Sequence, residues 1–326
     1  MEKKKMSFSR ALNAALSEAM NADESIVLLG EDIGLAGGSF GVTRGLIDRF
    51  GSERVIDTPI SEAAIAGAAV GAALSGLRPV VEIMFMDFTT LAMDAIVNQA
   101  AKARFMFGGQ ASIPLVFRTP HGGGLSAGPQ HSQCLEAWFA HVPGLKVVCP
   151  SDPVSAHGLL LAAIYDSDPV IYIENKALYS TKMEFPSVNI DIPIGEARVL
   201  REGDDVSLVT YGAAVHTCLE AADKMSGHGV EVDVIDLRTI QPWDRQTVLS
   251  SLHKTNRLVI AHEAVEAFGI GAEIAAVMAD IGFDELDAPI VRVGAPFMPV
   301  PFAKNLEQAY LPNVSQIERA LTRVLD

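Results

Sequence analysis

The chain has 326 residues and a net charge of -15 at neutral pH, with 49% hydrophobic and 20% charged residues. That charge excludes nucleic acid and anionic membrane surfaces as partners, and it suits a basic protein. The length allows two domains of about 100 to 200 residues each. Three cysteines, Cys134, Cys149 and Cys218, show no paired spacing, which fits a reducing compartment. No apolar stretch follows the basic start as in a signal peptide, and no run is long enough to span a bilayer, so the expected location is the cytoplasm.

Short apolar strands alternate with helical periods along the first half. SIVLLG (25–30) reads as a buried strand, GVTRGLIDRFG (41–51) as a helix and RVIDTP (54–59) as a second strand. The Ala/Gly segment 62–76 is helical, followed by strand RPVVEIMF (78–85) and a long helix over 89–107. Strands IPLVFRT (113–119), LKVVCP (145–150) and PVIYIE (169–174) follow, with a helix at 152–166 between the last two. The stretch 176–195 breaks this rhythm with polar residues, Pro186 and Pro193, and reads as a linker. Alternation restarts with strands at 205–212, 230–237, 257–263 and 289–294, helices between them, and a last helix at 314–326. The expected fold class is α/β, with two doubly wound parallel-sheet domains at 1–175 and 196–326.

Several chemistries are missing from the chain. It has no GxxxxGK[ST], no HExxH and no GxGxxG opening a helix after a strand. HGGGLSAG (121–128) reads as a flexible glycine-rich loop, and His262 beside Glu263 as a polar pair at a strand end. DTPISEAAIAGAAVGAALSG (57–76) is more telling. Gly67, Gly71 and Ser75 fall four apart on one helix face, where small residues admit another backbone closely. Each interior glycine gives up about 0.8–1.0 kcal/mol of helix propensity against alanine, which close packing would offset. Glu62 heads this segment and allows two readings. It is a first-turn acid meeting the helix dipole, with Thr58 or Ser61 as N-cap; or it is a carboxyl in an apolar pocket that shares a proton with a heterocyclic nitrogen.

Five motifs then occur in order: GED (30–32), DTPISE (57–62), PQHSQ (129–133), PGLKVVCPS (143–151) and DSDPVIYIE (166–174). With the C-terminal APFMPVPFAKNLEQAYLPN (295–313), they resemble the β subunit of the thiamine-diphosphate-dependent first component of 2-oxo acid dehydrogenase complexes. The resemblance covers nearly the whole chain and implies a transketolase-like fold. A pyrimidine-binding domain would come first and a transketolase C-terminal-like domain second. Glu62, then Gly67 and Gly71, matches the family's pattern; Ala68 and Ala72 stand where larger apolar residues are usual.

The resemblance implies that Glu62 hydrogen-bonds the cofactor's aminopyrimidine and so promotes deprotonation of the thiazolium carbon. Met84 and Phe88 would pack around that ring, and Glu31 would lie near the pocket. His131 would assist acyl transfer to a lipoyl arm. A structural potassium ion, found in some relatives, would be held by Leu115, Ala163, Ile164, Asp166 and Asp168, the last standing where a relative has Asn. The family's GDG…NN motif for diphosphate and magnesium is absent, and GDD at 203–205 precedes a strand and does not fit. A partner α subunit should therefore supply that half of the cofactor site, in an α2β2 heterotetramer that works with a lipoyl-bearing acyltransferase. The implied activity is a pyruvate, acetoin or branched-chain 2-oxo acid dehydrogenase. EIMFMDF, NQAAKARFMFGG and HVPGLKVVCPS lean toward acetoin. A non-catalytic nucleotide- or flavin-binding α/β subunit is the alternative, and a split transketolase or a ferredoxin-linked oxidoreductase comes third. No cysteine spacing supports an iron–sulfur cluster.

Overall fold

A computed structural model describes residues 5–186 and 190–326. Two compact units divide the chain: Met1–His121 with Trp138–Ile194, and Gly122–Ala137 with Gly195–Asp326.

Strand β1 (Lys5–Ser7) leads directly into helix α1 (Phe8–Ala22), whose N-cap Ser7 hydroxyl accepts the Arg10 amide. Strand β2 (Ile26–Gly30), helix α2 (Leu46–Phe50), strand β3 (Val55–Asp57), helix α3 (Glu62–Leu74) and strand β4 (Arg78–Glu82) follow. After tight 3-10 turns at Met86–Ala92 and a wide π turn at Asp94–Ala100 come helix α4 (Ala101–Met106) and strand β5 (Val116–His121). Helix α5 (Glu136–Ala140), strand β6 (Lys146–Val148), helix α6 (Pro153–Tyr165), strand β7 (Val170–Asn175) and strand β8 (Lys182–Glu184) complete this half of the chain.

Within the first unit the strands run β6–β7–β5–β4–β2–β3, every neighbouring pair parallel. Strands β2, β5 and β7 are buried throughout, which fits the apolar run of β2 and requires partners for the charges inside β5 and β7. Helix α6 starts where the sequence dictates. Asp152 and Ser155 form a reciprocal capping box, and Pro153 takes the first helical position. Its buried face packs on α1, each fully buried leucine or phenylalanine contributing about 1.5–3 kcal/mol.

The expected helical stretch over 89–107 is present, and its pitch changes along it from 3-10 to π to α. The Thr89 and Thr90 hydroxyls bond the carbonyls of Met86 and Asp87, at 2.6 and 2.9 Å, which favours tight turns there. The expected linker also carries structure. Asn175 caps a turn at Lys176–Leu178, and β8 pairs antiparallel with β1. Residues 187–189 of that stretch lie outside the described residues.

The second unit holds strand β9 (Arg198–Arg201), strand β10 (Val206–Thr210), helix α7 (Ala214–Ser226), strands β11 (Val232–Asp236) and β12 (Thr239–Gln241), and helix α8 (Arg245–Thr255). Strand β13 (Leu258–Val265), helix α9 (Ile270–Ile281), strand β14 (Val291–Ala295) and helices α10 (Lys304–Tyr310) and α11 (Val314–Leu325) follow. Its sheet runs β14–β13–β10–β11–β9, parallel except for the antiparallel edge strand β9. Helix α11 opens with an Asn313–Gln316 capping box and buries Ile317, Ala320, Leu321 and Val324 against Val206, Leu208, Val259 and Val291.

The sequence puts residues 122–137 in the first domain and 176–195 in a linker; by their contacts, 122–137 group with the C-terminal unit and the stretch up to Ile194 with the N-terminal one. The 122–137 segment goes with the C-terminal unit because it donates backbone amides to Glu263 and Glu307 there.

Candidate active site

The carboxyl ends of three adjacent parallel strands, β3, β2 and β4, converge on one edge of the first sheet, where α/β proteins place ligands. Glu31 follows β2 directly. Glu62 opens α3 a few residues after β3, and Met84 and Phe88 follow β4. Helix α3 packs against both β4 and the turns carrying Phe88. Four of the residues singled out from the sequence thus gather at one place.

Glu62 is the first residue of α3, with Ser61 as N-cap, and Ser61 makes no side-chain cap bond. Its side chain is only 8% exposed, yet it has no hydrogen-bond or ion-pair partner among the described residues. The helix dipole favours a negative charge at this end, and the carboxylate is left free to accept a hydrogen bond from a ligand. An aminopyrimidine offering a protonated ring nitrogen fits that acceptor, so the residues present fit this half of thiamine diphosphate.

Glu31 is half-buried and holds its proton more tightly than an ordinary carboxyl. Burial is the main cause, followed by the charges of Asp32 and Glu62. The two site acids therefore feel one another.

The loop after Glu31 is held close. Gly34 donates its amide to Asp57 at 2.6 Å, and a Cβ at Gly34 would collide with that carboxylate, so only glycine fits.

Behind the site lies an arrangement that sequence reading missed. Arg118 on β5 donates to both oxygens of Glu174 on β7, at 2.7 and 2.9 Å, and to Glu82 on β4 at 2.9 Å. All three are buried. Burial works against the guanidinium charge, but Glu174 and Glu82 hold it, and its pKa rises. Glu174 is pushed up, chiefly by its own burial. Its Oε2 also accepts the Tyr179 hydroxyl at 2.8 Å. The Tyr179 ring stacks on Phe40 at 4.6 Å, Phe40 meets Phe85 edge-on at 6.1 Å, and Phe85 meets Phe88 edge-on at 5.7 Å. Lys176 sits over the Phe85 ring at 5.3 Å. One chain of contacts thus runs from the ion cluster to a ring of the site. The available signal was a lone charge inside each apolar strand: Glu82 in VVEI, Arg118 in VFRT and Glu174 in YIEN.

The five candidate potassium ligands also come together, but basic side chains meet them. Arg78 donates to the carbonyls of Ile164 and Asp166, at 3.0 and 3.2 Å. The carbonyls of Ala163 and Leu115 accept the amides of Asp166 and Val170. The Asp166 carboxylate pairs with Lys146 at 2.6 Å, and Asp168 with Arg104 at 2.7 Å. Each of these carbonyls and carboxylates therefore has a protein partner in this structure.

His131 is half-buried and belongs to the second unit. Its amide donates to the Gly128 carbonyl at 3.3 Å, and the loop before it is anchored at three points. Glu263 accepts the Gly123 amide at 2.5 Å, Glu307 accepts the Ser126 amide at 2.9 Å, and the Phe302 ring lies against Gly128. The expected flexible loop is therefore a fixed one. Glu263 is bound to this loop and forms no pair with His262, which is fully buried with Nδ1 3.1 Å from the Ala264 carbonyl oxygen. Burial pushes the Cys218 thiol up to about 12, which removes it as a nucleophile.

The pyrimidine binding domain of transketolase matches residues 4–182, and the transketolase C-terminal domain matches residues 195–317. The β subunit of acetoin:2,6-dichlorophenolindophenol oxidoreductase from Bacillus subtilis is 49% identical, over 96% of this chain and 95% of its own length. The pyruvate dehydrogenase E1 component subunit beta-2, mitochondrial, from Oryza sativa is 47% identical, over 98% of this chain and 86% of its own length. Among solved structures, a split-gene transketolase described as an inactive beta4 tetramer superposes with a TM-score of 0.81. It covers 98% of both chains at 24% identity, a likeness of fold alone. With both domains matched in order and such relatives along almost its whole length, the chain belongs to the transketolase-like family of pyruvate dehydrogenase and acetoin oxidoreductase β subunits.

Proposed function

We propose that this chain is the β half of a thiamine-diphosphate-dependent pyruvate or acetoin dehydrogenase, completed by an α subunit in an α2β2 assembly and passing its acyl group to a lipoyl-bearing acyltransferase. The observation that carries this reading is Glu62, a buried carboxylate at the head of α3 with no partner among the described residues. When bound, thiamine diphosphate supplies the nucleophilic carbon and the electron sink.

The work of this chain is done by its own side chains. Glu62 accepts a hydrogen bond from the aminopyrimidine and holds the shared proton. Met84 and Phe88 cover the ring and keep water from that bond, which strengthens it. Glu31, with its raised proton affinity, places a second acid beside Glu62. His131 gives a proton to the lipoyl sulfur that leaves when the disulfide opens. The diphosphate and its magnesium fall to the α subunit, since this sequence carries no GDG…NN pattern.

The test is the chain assembled with its α subunit, thiamine diphosphate and magnesium, with dye-linked oxidation followed for pyruvate, acetoin and branched-chain 2-oxo acids. Turnover on one of them is expected, and none on any would overturn the reading. Replacing Glu62→Gln keeps the shape but cannot share the proton. Turnover should fall about 10²- to 10⁴-fold with assembly intact, and a fully active variant would show that Glu62 does not hold the shared proton.

A further inference from the structure

We infer that Glu307 is a positioning residue for His131, holding the glycine-rich loop 122–128 on the C-terminal unit. The inference rests on the acyl-transfer role proposed for His131.

The loop is conformationally expensive. Gly122, Gly124 and Gly128 have φ of 90, 94 and 77°, and Ser126 has φ of 55°. Glycine adopts such angles freely, but serine does so only under strain. Something outside the loop must therefore hold Ser126. Glu307 on α10 does so: its Oε2 accepts the Ser126 amide at 2.9 Å and faces the Ser126 hydroxyl at 3.4 Å. Five residues after Ser126 stands His131, tied back by its own amide to Gly128. A Cβ at Gly128 would collide with the Phe302 ring, so the backbone lies directly on that ring. Glu307 and Phe302 thus fix the loop at 126 and 128, just before the histidine.

Glu307 looks ill-suited to a purely structural task. It is 1% exposed, and its Oε1 has no hydrogen-bond partner among the described residues. A buried carboxylate satisfied at only one oxygen costs stability, and an apolar residue of similar size is often neutral or better in such a place. What an apolar residue cannot provide is an acceptor for the Ser126 amide.

The experiment uses the assembled enzyme and two readouts, dye-linked turnover and acyl transfer to a purified lipoyl domain, for Glu307→Met, Glu307→Gln and His131→Ala. Only the lipoyl step uses His131. In Glu307→Met the ratio of lipoyl transfer to dye-linked turnover should fall about 10- to 100-fold, as expected when a reacting group shifts by about 1 Å. Glu307→Gln, which keeps an acceptor oxygen, should restore most of that ratio. Amide hydrogen exchange in the methionine variant should quicken at 123–131 and stay unchanged in β10, β11 and β13. A normal ratio in Glu307→Met, alongside a depressed one in His131→Ala, overturns this inference and leaves the histidine's role standing. A normal ratio in His131→Ala overturns the histidine's role and the inference with it.

Discussion

At the scale of single residues, one buried charge and one half-buried carboxyl decide the most. Arg118 is held between Glu82 and Glu174, so removing it leaves two carboxylates facing each other in the sheet. Arg118→Met should therefore destabilise the chain by about 3–5 kcal/mol, read as a lowered urea midpoint. An unchanged midpoint would mean the cluster is not buried as described. Glu31 works in the opposite sense. Its proton is held more tightly in the folded chain than in the unfolded one, so its contribution to stability is greatest in acid. That contribution is lost as pH rises through the raised folded value. Glu31→Gln should accordingly raise the melting temperature at pH 7, and the gain should shrink as pH falls into the ordinary carboxyl range. A gain that grows toward acid would contradict the assigned cause. Neither effect could be read from spacing. Glu82, Arg118 and Glu174 are far apart in sequence, and only the parallel register of β4, β5 and β7 puts them side by side.

At the scale of elements, α3 is the instructive case. Its sequence points to close packing along Gly67 and Gly71. Within this chain those glycines are exposed, with open space where a Cβ would go. The buried face is the other one, with Ile65, Ala66, Ala69, Val70 and Ala73. The lost helix propensity is not offset inside the chain; in the proposed α2β2 assembly this open face would pack against the α subunit. Gly67→Leu should leave the isolated chain as stable as before, or more so by up to about 1 kcal/mol, while blocking assembly with the α subunit. Normal co-elution on a sizing column would count against that seat. Periodicity located α3, α6 and α11, because caps and apolar stripes are local signals. It located the helical stretch 89–107 too, though not its changes of pitch, which follow the Thr89 and Thr90 hydroxyl bonds and the π segment. It also gave no sign of β1 and β8, which are short and defined by pairing with each other.

At the scale of the whole molecule, the proposed function makes the chain half of a cofactor site. It offers a buried carboxylate for the pyrimidine and no motif for the diphosphate. Calorimetric titration of the chain alone with thiamine diphosphate and magnesium should show no saturable binding at concentrations that saturate the α-containing assembly. Tight binding by the chain alone would place the diphosphate site here after all. The sequence by itself determined the alternation of strands and helices, the two-domain plan and the family, because apolar runs, caps and ordered motifs are written locally along the chain. Tertiary structure decided the rest. It made residues 122–137 part of the C-terminal unit through Glu263, Glu307 and Phe302, balanced the Asp166–Asp168 region with Arg78, Arg104 and Lys146, and turned the glycine face of α3 outward. Those outcomes depend on which distant groups satisfy a buried charge or a backbone amide, and no local pattern carries that information.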